Sequence, residues 1–193
     1  SRGLGDVYKR QLAIGASAKS SGKQSIAIGA SAGATKDYAI AIGCQAKATE
    51  STAIAIGKEA ESQAQALVIG VEAKANASGA CGIAIGYEAQ TNAKNAYAIG
   101  SQANAHASES IAIGHQAATS ASGQGAVALG DEAKAYFAGS YAIGKQATTD
   151  RAGQIKLGNP DSSWDNGEVT IGSLKYYSTL EEGRQIKWNE DEN

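Results

Sequence analysis

The sequence has few of the residues that fill an ordinary globular core. Its 193 residues include one Phe, one Pro and no Met. The apolar residues are mainly Ala and Ile, so any hydrophobic core must be thin. A thin core is typical of stacked repeats, in which each unit is buried against its neighbours rather than around a single centre.

The sequence also lacks an excess of charge and a long apolar run. It has 17 basic and 19 acidic side chains, for a net charge of −2, which argues against a nucleic-acid partner because such a surface needs clustered basic residues. No run approaches 18 apolar residues, so we expect no direct membrane insertion by this fragment. No signal peptide is recognisable, and we expect the chain to be a piece of a longer protein.

Cysteine and histidine are scarce. Cys44 and Cys81 lie more than two repeats apart, too far for a disulfide, and both are interpreted as small apolar residues. His106 and His115 fall in exposed positions without other metal ligands nearby in the pattern. We therefore expect no metal site and no cofactor.

One repeat runs through most of the chain. It is marked by the glycine of an Ile-Gly or Leu-Gly pair, and eight of the eleven spacings between these glycines are 14 residues. The glycines are Gly15, Gly29, Gly43, Gly57, Gly70, Gly86, Gly100, Gly114, Gly130, Gly144, Gly158 and Gly172. Helical periodicity is absent. Two short strands and two turns per repeat predict one coil of a parallel β-solenoid, so twelve coils would give a rod roughly 55 Å long.

The residues around each glycine indicate two faces of a strand. The positions one and three before the glycine hold large apolar residues, as at Ile26 and Ile28, and the position between them holds Ala, as at Ala27. A strand that is apolar on both faces is buried on both. We predict that the Ile pair packs inside the coil and that the Ala column meets other copies of the chain, which favours a homo-oligomer.

The repeat resembles a known family at this point. The run Gln24-Ser25-Ile26-Ala27-Ile28-Gly29-Ala30-Ser31 is similar to the Asn-Ser-Val-Ala-Ile-Gly-x-x-Ser signature of YadA-like heads of trimeric autotransporter adhesins. The resemblance covers about residues 11–175. It implies an all-β, left-handed parallel β-roll, a homotrimer around one axis, and a binding role on the bacterial cell surface, with outer-membrane anchoring in the full-length protein. The family's second Ser persists at Ser17 and Ser31 and becomes Gln or Glu in the next eight copies.

The ends of the chain depart from the repeat. Residues 1–10 fit no coil and are interpreted as a non-native leader before the β-roll head at 11–175. In residues 176–193, the Arg184-Gln185-Ile186 run resembles the neck that joins head to stalk in this family.

One literal enzyme motif occurs. Gly29-Ala30-Ser31-Ala32-Gly33 matches G-x-S-x-G, but that motif requires a strand-to-helix turn, and here its first glycine is the repeat glycine. We expect the chain not to be an enzyme.

The most variable exposed column directly follows the glycine. It contains Lys58, Tyr87, His115 and Lys145, which we predict as a candidate binding surface. The leading function is an adhesin head that binds an extracellular matrix protein or a cell-surface receptor or glycan. The alternative is a trimeric phage or prophage tail-fibre module that recognises a bacterial receptor. Flanking sequence would separate the two.

Overall fold

The computed structural model describes residues 10–63, 65–76 and 81–158, which form twenty short β-strands. The strands are Leu12–Ile14 (β1), Lys19–Ser20 (β2), Ile26–Ile28 (β3), Gly33–Ala34 (β4), Ile40–Ile42 (β5), Lys47–Ala48 (β6), Ile54–Ile56 (β7), Glu61–Ser62 (β8), Leu67–Ile69 (β9), Lys74–Ala75 (β10), Ile83–Ile85 (β11), Gln90–Thr91 (β12), Tyr97–Ile99 (β13), Asn104–Ala105 (β14), Ile111–Ile113 (β15), Ala118–Thr119 (β16), Val127–Leu129 (β17), Lys134–Ala135 (β18), Tyr141–Ile143 (β19) and Ile155–Leu157 (β20).

The strands form two parallel sheets. The three-residue strands make an eleven-stranded sheet, here called sheet A, and the two-residue strands make a nine-stranded sheet, sheet B. Each strand pairs with its equivalent one repeat later, as Ile26 with Ile40 and Lys47 with Glu61. The predicted β-solenoid of about 14 residues per coil is confirmed. The copy at Gly172, residues 1–9 of the leader and the neck-like segment lie outside the described residues.

The interior of the roll is made of alanine. Ala27, Ala41 and Ala55 are fully buried within the single chain, as are Ala34 and Ala48 of the facing sheet. Among the described residues, the largest fully buried side chain is Val68. The roll therefore has only the space that small side chains leave between its two sheets.

The predicted assignment of the two strand faces is wrong. In β3, Ala27 lies inside the coil, whereas Ile26 and Ile28 point outward and are half-buried. The physical reason is the length of the coil. Fourteen residues make strands of three and two residues, and this small enclosure cannot hold two Ile side chains from each coil.

The repeat glycine has a steric role that the sequence suggested. Gly29 has φ +128°, and a Cβ built on it would lie 2.5 Å from the carbonyl oxygen of Gly43 in the next coil. The other glycines of the ladder with positive φ, from Gly15 to Gly130, make similarly close approaches. Only glycine fits, because the backbones of successive coils stack directly at this corner.

Each coil closes with two tight turns. In the first turn, Ala32 N–H bonds to the Gly29 carbonyl at 3.2 Å and Ser31 has φ +56°. In the second, Ala39 N–H bonds to the Lys36 carbonyl at 3.2 Å and Tyr38 has φ +61°. A positive φ at the third residue is the mark of a type II turn. The two turns direct the chain from sheet A to sheet B and back.

The coil between Gly114 and Gly130 has a longer second turn. Its loop Ser120–Gly125 carries the extra residues of this 16-residue spacing. Its backbone bonds from Gly123 to Ser120 and from Ala126 to Gly123, both at 2.9 Å, add one turn without disturbing the adjoining strands.

Candidate binding surface

The outer side of sheet A is an apolar surface, here called the isoleucine face. It consists of two columns of large side chains, one and three residues before each repeat glycine. Its members are Leu12, Ile14, Ile26, Ile28, Ile40, Ile42, Ile54, Ile56, Leu67, Ile69, Ile83, Ile85, Tyr97, Ile99, Ile111, Ile113, Val127, Leu129, Tyr141, Ile143, Ile155 and Leu157.

The isoleucine face is too large to remain in water. Side chains such as Ile99 and Leu129 are 37% and 42% exposed in the single chain. Full burial of one aliphatic side chain contributes roughly 1.5–3 kcal/mol, so covering the remaining exposed part of the whole face is worth on the order of 10 kcal/mol per chain. Continuous apolar surfaces of this extent mark an interface between proteins.

The predicted binding column lies at the first turn, beside the isoleucine face. Lys58, Tyr87, His115 and Lys145 are all exposed. They occur on alternate coils, so no two of them lie on neighbouring layers. The structure confirms their exposure but does not gather them into one pocket, and their role in binding stays a prediction.

Acidic neighbours organise parts of this column. Asp131, on the coil between His115 and Lys145, contacts both, with His115 Nδ1 at 2.9 Å from Oδ1 and Lys145 Nζ at 3.8 Å from Oδ2. Lys58 Nζ lies 3.2 Å from Glu59 Oε1, and this hydrogen bond and charge raise the pKa of Lys58. The column thus presents cations that are partly neutralised by carboxylates.

Next to this column, amide and carboxylate side chains form hydrogen-bonded ladders. Gln102 Nε2 donates to Glu88 Oε2 at 2.7 Å, and Gln116 Nε2 donates to Gln102 Oε1 at 2.9 Å. The Gln102 bond, and then the Tyr87 hydroxyl, lower the pKa of Glu88, while Glu88 raises the pKa of Tyr87. The Gln and Glu residues that replace the family's second Ser are therefore part of a polar ladder.

A shallow groove lies where this ladder adjoins sheet B. Its volume is about 410 Å³, and its walls come from two rows of polar side chains, including Gln45 and Glu59 on the turn and Lys47, Glu61 and Lys74 on the strands. Lys47 and Lys74 flank Glu61 in register. Within the described ranges, no group of three or more His, Cys, Asp or Glu could hold a metal ion.

Neither cysteine is buried. Cys44 and Cys81 are free thiols, and both are exposed. These two small residues therefore lie on the surface of the roll and not in its core. His106 and His115 are exposed, as predicted. None of the described residues forms a helix that is long and apolar enough to cross a membrane.

Comparison with known proteins identifies the family to which this fold belongs. The family model described as YadA head domain repeat matches residues 12–32, 34–60, 92–117 and 121–147, which is more than half of the chain. The chain belongs to the YadA head family. Among curated proteins, no match to this sequence was found.

A solved structure of the family has the same fold. The collagen-binding domain of the Yersinia adhesin YadA superposes with a TM-score of 0.62 at 26% sequence identity, over 88% of this chain and 90% of that domain. The chain is thus an adhesin-like YadA head, of a kind that is exposed on bacterial surfaces. The fold, the repeat and the family predicted from the sequence are confirmed.

Sequence reasoning placed the large side chains of the isoleucine face inside the coil, whereas the structure places them outside. The signal that could have shown this is the alanine column, in which Val68 is the one exception among the first ten copies and Ala is kept at Ala27, Ala41, Ala55, Ala84 and Ala98. A position restricted to alanine in coil after coil indicates a site with no room, and the interior of a 14-residue coil has the least room.

Proposed function

We propose that this chain is the binding head of a homotrimeric bacterial surface adhesin, which attaches the cell to host matrix or to other cells. The observation that carries the proposal is the isoleucine face on a YadA head roll. Three copies that bring these faces together around one axis would bury them and leave sheet B and both turns accessible. Each trimer would then present every binding surface three times, which raises avidity without any new contact.

Binding, rather than catalysis, is the activity we propose. Ser31 of the G-x-S-x-G match lies in a turn between two strands, with φ +56°. The equivalent positions in the next coils hold Gln45 and Glu59. The turn that a nucleophilic serine needs, from a strand into a helix, is not the turn found at this serine.

Matrix proteins are the first partners to test. The similar solved domain is described as collagen-binding, and this chain covers most of its length. The post-glycine column with Lys58, Tyr87, His115 and Lys145 offers exposed cationic and aromatic side chains on a rigid scaffold, which is the kind of surface that recognises a protein or glycan receptor.

The test is a binding assay on immobilised collagen, fibronectin and laminin and on cultured host cells. We expect saturable binding to at least one of these by the wild-type protein. Failure to bind any of them, together with binding to purified bacterial envelope glycans, would instead favour the tail-fibre function. The parent gene separates the same alternatives, because an adhesin encodes a membrane anchor and a tail fibre encodes a virion-attachment domain.

A further inference from the structure

The only Phe in the chain is exposed on an outer loop, next to an exposed Tyr. Tyr136 and Phe137 directly follow β18 and are 37% and 38% exposed. They are the sixth and seventh residues after Gly130. At these two positions, the other described copies have no Phe, Tyr or Trp; Ser120, Asp150 and Arg151 are the residues there in the flanking coils. A repeat that otherwise carries polar or small residues at this corner is broken by two aromatic rings.

The backbone that carries these rings is held by several hydrogen bonds. Tyr136 N–H donates to Thr149 Oγ1 at 3.2 Å, and the Ser122 hydroxyl donates to the Tyr136 carbonyl at 3.0 Å. The Ser140 hydroxyl donates to the Phe137 carbonyl at 2.7 Å. Thr149 and Ser140 are buried and bond to each other at 3.0 Å. The rings are therefore presented on a fixed frame, and a ligand that packs on them would not have to order this loop first.

The two flanking coils carry different residues at the equivalent corner. The preceding coil contributes small residues of the long loop, Ala121, Ser122 and Gly123. The following coil contributes Asp150 and Arg151, whose side chains form an exposed ion pair at 3.1 Å. This combination of two aromatic rings with an adjoining carboxylate and guanidinium is here called the aromatic platform.

We propose that the aromatic platform is a subsite for one pyranose ring of a neutral glycan. A pyranose has an apolar face of C–H groups, which packs on an aromatic ring, and a rim of hydroxyls. Asp150 can accept hydrogen bonds from neighbouring hydroxyls, and Arg151 can donate two in parallel. The ion pair has no net charge, so it offers no preference for a sialylated or sulfated sugar. A single such contact is weak, and repetition in an oligomer would strengthen it.

This inference rests on the proposed adhesin function and names the chemical class of receptor for one surface of the head. A protein partner that uses the two rings as buried anchors is the competing occupant. The Asp150–Arg151 pair favours the sugar, because hydroxyl groups match a carboxylate and a guanidinium together, whereas an apolar protein pocket would leave this pair unmatched.

The test is saturation-transfer difference NMR on the wild-type protein with lactose and N-acetyllactosamine, and with sialyllactose as the charged comparison. We expect transfer to the neutral sugars. We expect binding to weaken about fivefold in Phe137→Ala and in Tyr136→Ala, since one aromatic contact is worth roughly 1 kcal/mol. Phe137→Tyr, which keeps an aromatic ring at this position, should bind the neutral sugars as well as the wild type does. The matched control is Tyr38→Ala, because Tyr38 is also an exposed aromatic residue, at 48%, but lies on a distant coil, and its removal should leave sugar binding unchanged.

Several results would overturn the inference. One is the absence of transfer from the wild type to all three sugars, and another is equal sugar binding by Phe137→Ala and wild type. A third is a lower solution mass for Phe137→Ala, which would place the rings in a subunit interface. A fourth is Phe137-dependent binding to matrix protein that survives enzymatic deglycosylation, which would identify a protein anchor. If the wild type binds native and deglycosylated matrix equally and Phe137→Ala does too, the adhesin function stands and this inference falls.

Discussion

The alanine interior predicts that the roll cannot accept a larger side chain, and Ala112 offers the sharpest test. Ala112 is fully buried in β15 and pairs in register with Ala98 and Ala128, which are fully buried as well. Leucine at this position adds three carbons between sheets whose interior is mostly alanine, which has no side-chain rotamer to change. Overpacking commonly costs about 1–3 kcal/mol, and we expect Ala112→Leu to lie at or above the upper end of that range.

A graded pair of variants sharpens this prediction. Val68 already occupies the equivalent interior position of its own coil, so Ala112→Val should cost less than Ala112→Leu. The matched control is Ile113→Leu, on the outer face, where the paired residue of the next coil is Leu129. We expect this control to stay close to wild type, because Ile→Leu conserves side-chain volume and the paired coil already carries Leu at this position.

The assay is urea unfolding followed by far-UV circular dichroism at one fixed protein concentration, because association contributes to apparent stability by mass action. The expected order of stability is Ile113→Leu equal to wild type, then Ala112→Val, then Ala112→Leu. An Ala112→Leu variant that unfolds within about 0.5 kcal/mol of wild type would show that this side chain is not enclosed, and the alanine interior would have to be abandoned.

Three further predictions follow from the turns and ladders. Gly100→Ala should destabilise the roll by about 1–3 kcal/mol or more, because Gly100 has φ +132° and a Cβ there would lie 2.4 Å from a carbonyl oxygen of the next coil. The control is Gly33→Ala: a Cβ at Gly33 would have no atom within 4 Å, so thermal unfolding should show a neutral or stabilising effect. Thr52→Gly should raise the melting temperature, because a β-branched residue is strained at its φ of +62°; an unchanged or lower value contradicts this. By NMR titration, the pKa of Glu88 should lie below its ordinary value and rise in Gln102→Ala, and identical titration curves for variant and wild type would refute the ladder.

The sign of the Glu88 effect on stability follows from its direction. The folded pKa is lowered, so the ionised carboxylate is favoured in the folded state. Its contribution is present above the pKa of the unfolded chain and is lost as the pH falls through the folded pKa. Because this carboxylate is exposed to solvent, the measurable quantity is the titration itself rather than the pH dependence of unfolding.

The sequence predicted the coil because glycine leaves an unambiguous signal. A position such as Gly29 tolerates no side chain, since the backbone of Gly43 stacks against it, and this restriction recurs along the ladder from Gly15 to Gly130. The strand positions before it follow from the same frame. The turns were harder to predict, because Tyr38 and Thr52 adopt left-handed backbone conformations that Tyr and Thr do not favour.

The orientation of the strands could not be predicted from alternation alone. Ala27 and its Ile neighbours are all apolar, so the pattern says that both faces are buried but not which face lies inside. Volume decides the question, and volume depends on the separation of the two sheets. The aromatic platform was also missed, because Tyr136 and Phe137 look like any two loop residues until Thr149 and Ser140 are seen to hold their backbone.

The central claim is that a roll filled with alanine turns its isoleucine face outward to be covered by other copies of the chain. The most direct test is the solution mass of the 19.5 kDa chain, measured by light scattering during size-exclusion chromatography. The account predicts a single species with about three times the mass of the chain. A folded, stable monomer at micromolar concentration would contradict it, since the isoleucine face would then be exposed to water.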